Sequence, residues 1–167
     1  GQPPGVLKRL RGLPGRLSSG LAEIIMFFLV SRAALTIIGV LSVTRIQRRM
    51  GGRLEWEHPS QKWLDIWGQW DTGWYLDIAQ NWYAAEPHYQ SYCNYAFFPF
   101  YPTLMKLLGA VIGNHYYAGL IISNVALLGA AILLYRLVEL DHDQEVAARS
   151  VKYMFIWPTS FILSGVL

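Results

Sequence analysis

Residues 21–43 constrain this chain more than any other feature, because 23 consecutive residues carry only two charges, Glu23 at one edge and Arg32 at the centre. A helix of that length crosses a hydrocarbon core of about 30 Å at 1.5 Å per residue. Its thirteen Leu, Ile, Val and Phe residues favour insertion by about 0.3–0.6 kcal/mol each, which outweighs a cost of about 2.5–3.5 kcal/mol for one central arginine. We therefore expect a membrane-spanning helix in which Arg32 faces protein or water.

Three later stretches are also apolar. Residues 117–135 form a clean second candidate span, with 19 residues and no charge. Residues 97–112 and 151–167 are weaker candidates, because they are short, contain proline and carry Lys106 or Lys152. The composition, 53% hydrophobic and 15% charged, is too apolar for an ordinary soluble domain of this size. The predicted fold is an all-α integral membrane protein with about 3–4 transmembrane helices and with amphipathic helices in a large loop after the first of them.

These stretches divide the chain into a basic arm of residues 1–20, a first transmembrane helix of residues 21–43, a loop of residues 44–96, and helices two to four within residues 97–167. Four basic residues precede the first helix and four follow it closely, so they do not orient it. The segment after Val138 is acidic, which suits a non-cytoplasmic loop, and three preceding spans would put residues 44–96 on that side too. We expect a cytoplasmic N-terminus, an outer loop of residues 44–96, and a bundle truncated at Leu167.

The predicted outer loop holds six of the seven tryptophans. Four of them recur at steps of four, three and four residues, which places them within about 60° on one helical face. Asp77 borders this stripe and Asp71 lies on its other shoulder. A helix lying in the membrane interface with an aromatic belt explains the same spacing without chemistry, and Gly68 and Gly73 weaken the idea of a single helix. The four residues are Trp63, Trp67, Trp70 and Trp74.

Asp71 has two roles open to it. Followed by Thr72, Gly73 and Trp74, it stands where a residue would cap a second short helix. A carboxylate among tryptophan and tyrosine rings beside a bilayer would also be partly desolvated, an environment that suits a general base. Capping and catalysis are compatible, so the sequence leaves both roles open.

Two runs of the sequence are distinctive: WDTGWYLDIAQNWY at residues 70–83 and YAFFPFYP at residues 95–102. They resemble the glycosylphosphatidylinositol mannosyltransferase II family and its bacterial relatives, which are multispan transferases of the GT-C class. Members carry a Trp-Asp pair near the start of the first outer loop and an aromatic-Pro segment entering the second span. They also carry an arginine after an aliphatic-Ser pair in the first span, which Val30-Ser31-Arg32 matches. Residues 147–165, ending in FIWPTSFILSG, resemble the fourth span. Members are usually longer than this chain, and their next motif would lie beyond Leu167.

The resemblance implies transfer of a mannosyl or similar hexosyl unit from a polyprenyl-phosphate sugar to an acceptor hydroxyl on the outer side of the membrane. Inversion is expected, because a single displacement needs no glycosyl-enzyme intermediate. In this scheme Asp71 is the catalytic base, and the sugar stacks on Trp70, Trp74 and Tyr75. Asp77 is a second acid that either orients the acceptor or acts on Asp71 by charge repulsion.

Arg32 is too deep in its span for a confident assignment to the phosphate, and we assign it to a structural ion pair inside the membrane. No cofactor follows from the sequence. A divalent metal is left open through Asp141-His142-Asp143, which has the Asp-X-Asp spacing of nucleotide-sugar transferases, although a solvated acidic loop explains that match as well. The four histidines share no metal-ligand spacing.

The expected partners are the lipid bilayer, the polyprenyl-phosphate sugar donor and other membrane subunits. A net charge of +3 gives no reason to expect nucleic acid. The basic arm is either a short amphipathic helix on the anionic inner leaflet or a disordered segment. A different class of function is also open: a shortened, non-catalytic homologue that serves as a structural or accessory subunit of a larger membrane complex.

Overall fold

The computed structural model describes residues 13–46, 61–68, 70–83 and 94–166, and every regular element in these ranges is helical. Residues 1–12, most of the segment between the first two helices, and residues 84–93 lie outside the described part, so the predicted amphipathic arm is described only for residues 13–20, which begin the first helix. The elements are α1 (Leu13–Arg45), α2 (Lys62–Asp65), α3 (Thr72–Asn81), a 3₁₀ turn (Asn94–Ala96), α4 (Phe100–Ile112), α5 (His115–Asp141), α6 (Gln144–Ile156) and a 3₁₀ helix (Pro158–Ser164).

Two helices are long and apolar enough to cross a membrane: residues 20–45 of α1 and the whole of α5, with 26 and 27 residues. Only 11% of the most apolar window of α1 is buried, and 22% of that of α5. The core helix of a soluble fold buries most of its apolar residues. The exposed apolar surface of α1 and α5 therefore needs a cover of lipid or of another protein.

The other two predicted spans are shorter helices. α4 and α6 have 13 residues each, which is about 20 Å at 1.5 Å per residue. α6 ends at Ile156 because the residue before Pro158 is disfavoured in a helix, and the chain continues as a 3₁₀ helix. The all-α prediction is confirmed for the described residues, while two of the three or four predicted spans have the length of a spanning helix.

The chain forms two compact units, of which unit 1 comprises residues 13–33 and 128–157. The start of α1 lies here beside the end of α5, since a Cβ atom at Gly20 would be 2.9 Å from the Tyr135 hydroxyl oxygen. Lys152 of α6 reaches α1, with its Nζ 2.9 Å from Glu23 Oε1 and 4.5 Å from the centroid of the Phe27 ring. Helix α6 buries one face toward this unit, formed by Ala147, Ala148, Val151 and Phe155.

The contact between Gly20 and Tyr135 bears on the predicted order of four spans. In that order three spans precede the acidic segment, which puts that segment and the N-terminal arm on opposite sides of the membrane. The structure places the end of α5 beside the start of α1. Residues 100–112 form a helix of 13 residues, which is shorter than the roughly 20 residues that a spanning helix needs.

Unit 2 comprises the described residues among 34–127 together with 158–166. Helix α3 packs against α4, and α4 turns back along α5 after Gly113, which adopts a left-handed conformation at φ 78°. Tyr101 of α4 contacts α5, with its hydroxyl 3.2 Å from the Gly119 carbonyl oxygen and 3.0 Å from Ser123 Oγ. The core of unit 2 is formed by Leu64, Leu76, Ala79, Met105, Tyr116 and Val166.

Candidate functional site

The predicted tryptophan stripe does not form one helical face. α2 ends at Asp65 and α3 begins at Thr72, and the residues between them form a turn. Gly68 packs against the Tyr116 ring so closely that a Cβ atom would be 2.5 Å from it. Trp70 has a left-handed backbone at φ 53°, which is uncommon for a residue with a side chain and incompatible with a continuous helix. A single helix through all four tryptophans is therefore interrupted at this turn, beside Gly68.

Asp71 follows that turn and occupies the N-cap position of α3. Its backbone carbonyl accepts from the amides of Trp74 and Tyr75, at 3.0 and 3.2 Å. Its side chain makes no capping hydrogen bond, and the side chain is exposed. The structure thus gives Asp71 the cap position that the sequence predicted. Within the described part of the chain, it leaves the carboxylate without a hydrogen-bond or ion-pair partner.

The last described residues of the chain close around the same turn. The Thr72 hydroxyl donates to the Val166 carbonyl, and the Val166 amide donates to the Trp67 carbonyl at 2.9 Å. The Trp70 ring lies 5.8 Å from the ring of Phe161. Both flanks of Asp71 are therefore held by the segment of residues 158–166. No sequence pattern singles out Thr72 as a residue of this site, whereas the resemblance of residues 155–165 to a family motif is a signal for Phe161.

Trp74 and Tyr75 belong to an aromatic cluster built on Phe97. The Phe97 ring is stacked on Trp74 at 5.9 Å and meets Tyr75 edge-on at 5.2 Å. Tyr75 also meets the Tyr101 ring edge-on at 5.2 Å. Edge-on and offset rings at these distances are favourable arrangements. The structure therefore brings together Trp74, Tyr75 and the Phe97–Pro102 run, whereas Trp70 faces Phe161.

The hydroxyl of Tyr75 lies in an environment that opposes ionisation. Burial raises its pKa above the usual value for tyrosine, and the negative charge of Asp71 and the neighbouring Tyr83 raise the pKa further. Tyr75 stands four residues after Asp71, one helical turn along α3. At neutral pH Tyr75 is therefore a neutral hydroxyl that can donate a hydrogen bond beside the Asp71 carboxylate.

Asp77 is engaged on both of its oxygens. Asn81 Nδ2 donates to Oδ1 at 2.8 Å and Asn94 Nδ2 donates to Oδ2 at 3.2 Å. The same Asn94 amide donates to the Trp82 carbonyl at 3.1 Å, and Asn94 is only 1% exposed. Asp77 thus ties the end of α3 to the turn of Asn94–Ala96, and this arrangement suits an orienting role better than proton transfer. Nothing in the sequence signalled Asn94.

An open depression of about 360 Å³ adjoins the aromatic cluster. The Tyr83 and Tyr95 rings stack at 6.0 Å and 13° beside it, and Tyr83 donates its hydroxyl to the Phe97 carbonyl at 2.5 Å. The volume falls at the lower end of the range for small-molecule sites. The depression is lined by Tyr83, Tyr95, Ala96, Phe97, Phe98 and Pro99.

Arg32 belongs to unit 1, and the other candidate residues belong to unit 2. It is 8% exposed, and its Nη2 donates to the Phe155 carbonyl at 3.4 Å. The guanidinium carbon lies 6.0 Å from the centroids of both the Phe28 and Phe155 rings. These contacts agree with a structural role for Arg32, with a carbonyl and two rings among its partners.

The Asp141-His142-Asp143 stretch lies at the turn between α5 and α6, where all three residues are exposed. Asp143 caps α6, since its Oδ1 accepts from the Val146 amide at 2.9 Å. In the ranges that the structure describes, no group of three or more His, Cys, Asp or Glu side chains could hold a metal ion.

Comparison with known proteins finds no family model that matches the chain, no similar curated protein and no similar solved structure. The resemblance to the mannosyltransferase family therefore rests on the motifs in the sequence.

Proposed function

We propose that this chain is a multi-pass membrane glycosyltransferase of the GT-C class, mannosyltransferase-like, with a cytoplasmic N-terminus. It moves a hexose from a polyprenyl-phosphate sugar to an acceptor hydroxyl on the outer side of the membrane. One observation carries the proposal. The exposed carboxylate of Asp71 stands at a turn where the family-like stretches meet, namely Trp70-Asp71 and the segment ending at Gly165, with the Phe97–Pro102 run packed on the same helix α3.

The membrane part of the proposal rests on α1 and α5. Both exceed the roughly 20 residues that a spanning helix needs, and their apolar side chains are mostly exposed. Ile37, Ile38 and Leu133, for example, are 60%, 59% and 70% exposed. Transfer of such surface from water to lipid is worth about 25 cal/mol per Å². Lipid is the simplest cover for two long helices of this kind.

Asp71 suits the role of base in an in-line displacement. The acceptor oxygen bonds to the anomeric carbon while the bond from that carbon to the phosphate oxygen breaks. The electron pair leaves with the polyprenyl phosphate, and Asp71 takes the acceptor's proton. The neutral Tyr75 hydroxyl is placed to hold a sugar or acceptor oxygen beside Asp71. Trp74, already stacked on Phe97, offers its remaining ring face to the sugar.

The test is transfer of labelled mannose from a polyprenyl-phosphate donor by membranes that contain the protein. Asp71→Asn keeps the shape of the side chain but cannot accept a proton, so transfer should fall by about 10²–10⁴-fold. Asp141→Asn is the matched control, because it removes an exposed carboxylate that belongs to unit 1 and not to the candidate site, and it should leave transfer unchanged. Thermal unfolding of both variants should match that of the parent protein, since the Asp71 side chain makes no capping bond.

Equal transfer by Asp71→Asn and the parent would remove Asp71 from the chemistry. A parent protein that is folded in membranes but transfers no hexose would favour the alternative, an accessory subunit of a larger membrane complex.

A further inference from the structure

Helix α4 (Phe100–Ile112) is apolar on two opposite faces. Its buried face consists of Pro102, Met105 and Gly109. At 100° per residue, Phe100, Leu107 and Val111 fall within about 40° of one another on the opposite face. These three residues are 68%, 63% and 82% exposed, and Phe98, just before the helix, is 79% exposed.

A helix at the surface of a soluble domain carries polar residues opposite its core face. In α4 the position opposite the core is instead a ridge of large apolar side chains. The one charge of the helix, Lys106, lies on the flank between the two faces, and its Nζ is 5.8 Å from the centroid of the Trp82 ring. A lysine and a partly exposed tryptophan beside an apolar ridge are the pattern of residues that sit at a membrane interface.

The contacts of α4 with α5 limit how deeply α4 can extend into a membrane. Tyr101 contacts Gly119 and Ser123 of α5, and a Cβ atom at Gly109 would be 2.7 Å from His115. The 13 residues of α4 therefore lie along the first turns of α5 only. A length of about 20 Å does not cross a core of about 30 Å.

We propose that the ridge of Phe98, Phe100, Leu107 and Val111 is a lipid-docking surface, by which α4 inserts into one leaflet beside the start of α5 without crossing the membrane. The acyl chains of that leaflet cover the ridge, and the long side chain of Lys106 reaches from the flank of α4 toward the headgroups. The proposal depends on the membrane placement of α5 but not on glycosyl transfer. Insertion of α4 would also fix the distance of the candidate site from the membrane surface, because α3 packs against α4.

The test uses a fluorescent nitrobenzoxadiazole label on single cysteines in proteoliposomes, with Cys93 replaced by alanine so that each introduced cysteine is unique. Labels at Leu107 and Val111 report the ridge. A label at Val125, which is 66% exposed and about 5 Å from the middle of α5, reports the bilayer interior. A label at Glu145, whose side chain is 79% exposed, reports water.

We expect lipids with a nitroxide at carbon 5 to quench the labels at Leu107 and Val111 more strongly than lipids with a nitroxide at carbon 12, and aqueous iodide to leave them unaffected. The order of the two lipids should be reversed at Val125, and iodide should quench only at Glu145.

Quenching of the ridge by iodide would overturn the proposal, because the ridge would face water. Protection from both lipid and iodide would also overturn it, because a second copy or another protein would cover the ridge. Stronger quenching by the deeper nitroxide would mean that α4 crosses the membrane. Absence of lipid quenching at Val125 would instead overturn the membrane placement of α5 itself.

Discussion

Arg32 shows how one side chain can be accommodated in the most apolar stretch of the chain. Its guanidinium meets the Phe155 carbonyl and Ser31 Oγ, at 3.4 and 3.3 Å, and lies beside the rings of Phe28 and Phe155. Cation–π contacts are worth about 0.5–2 kcal/mol when desolvated. The charge is thus compensated by groups on α6 and α1 together. The acidic residue on the same helix as Arg32, Glu23, forms an ion pair with Lys152 of α6.

Replacement of Arg32 by leucine should destabilise unit 1. The change removes the donor to a buried carbonyl, which costs about 1–3 kcal/mol, less than the roughly 3–5 kcal/mol of an uncompensated buried charge. The measurement is unfolding by SDS in mixed micelles. Arg149→Leu is the matched control, because Arg149 is exposed and its pair with Glu145 is long, at 3.8 Å, so its loss should cost less than about 1 kcal/mol. Equal stability of Arg32→Leu and the control would mean that the contacts of Arg32 are not stabilising.

At the scale of elements, the break between α2 and α3 decides the shape of the candidate site. The break places Trp70 and Asp71 on a turn, where residues 158–166 can reach both flanks. Two glycines stand close to it and have different surroundings. Gly68 is pressed against the buried Tyr116 ring, whose hydroxyl donates to the Leu64 carbonyl at 2.8 Å. Gly73 has nothing within 4 Å of a Cβ position.

Alanine at these two glycines should therefore have opposite effects. Gly68→Ala forces Tyr116 out of its place and should lower the free energy of unfolding by about 1–3 kcal/mol. Gly73→Ala lies in α3 and should raise it by about 0.5–1 kcal/mol, because alanine is the better helix former. Each variant adds one methyl group to the parent protein, so each serves as the control for the other in thermal unfolding. A loss of stability in Gly73→Ala, or none in Gly68→Ala, would contradict this account of the turn.

The sequence was sufficient where a local rule decides the outcome. Length and apolarity predicted α1 and α5, and the Asp-Thr-Gly pattern predicted the start of α3 at Asp71. It was insufficient where contacts distant in the chain decide. The tryptophan spacing favours one helix, but Tyr116, about 50 residues later, fixes the turn at Gly68. The ties of Asn94 to Asp77 and of Thr72 to Val166 are likewise invisible in any local pattern.

At the scale of the whole molecule, the contact between Gly20 and Tyr135 determines which ends of the chain share a side of the membrane. If α1 and α5 each cross once, residues 13–20 and the acidic turn at residues 142–143 lie on the same side. Acidic residues contribute little to the orientation of membrane proteins. The acidity of this turn is therefore no obstacle to its lying in the cytoplasm with the N-terminal arm.

Cysteine labelling tests this arrangement. In intact cells, a membrane-impermeant maleimide should label a cysteine at Ser60, which lies outside the described residues. It should label cysteines at Ser18 and His142 only after the membrane is permeabilised. The essential result is that Ser18 and His142 behave alike. Opposite accessibility of these two positions would mean that an odd number of crossings lies between Ser18 and His142, as the four-span order requires.

The hydrogen bonds of Val166 with Trp67 and Thr72 can form only late in biosynthesis. A ribosome adds about 5–20 residues per second, so roughly 4–17 seconds separate the emergence of α3 from that of Val166. During this interval the Trp67 carbonyl and the Thr72 hydroxyl lack their later partner, and the turn that carries Asp71 is incomplete. The nascent protein therefore passes through a stage in which its first helix is already synthesised while the turn that carries Asp71 still lacks the contacts of residues 158–166.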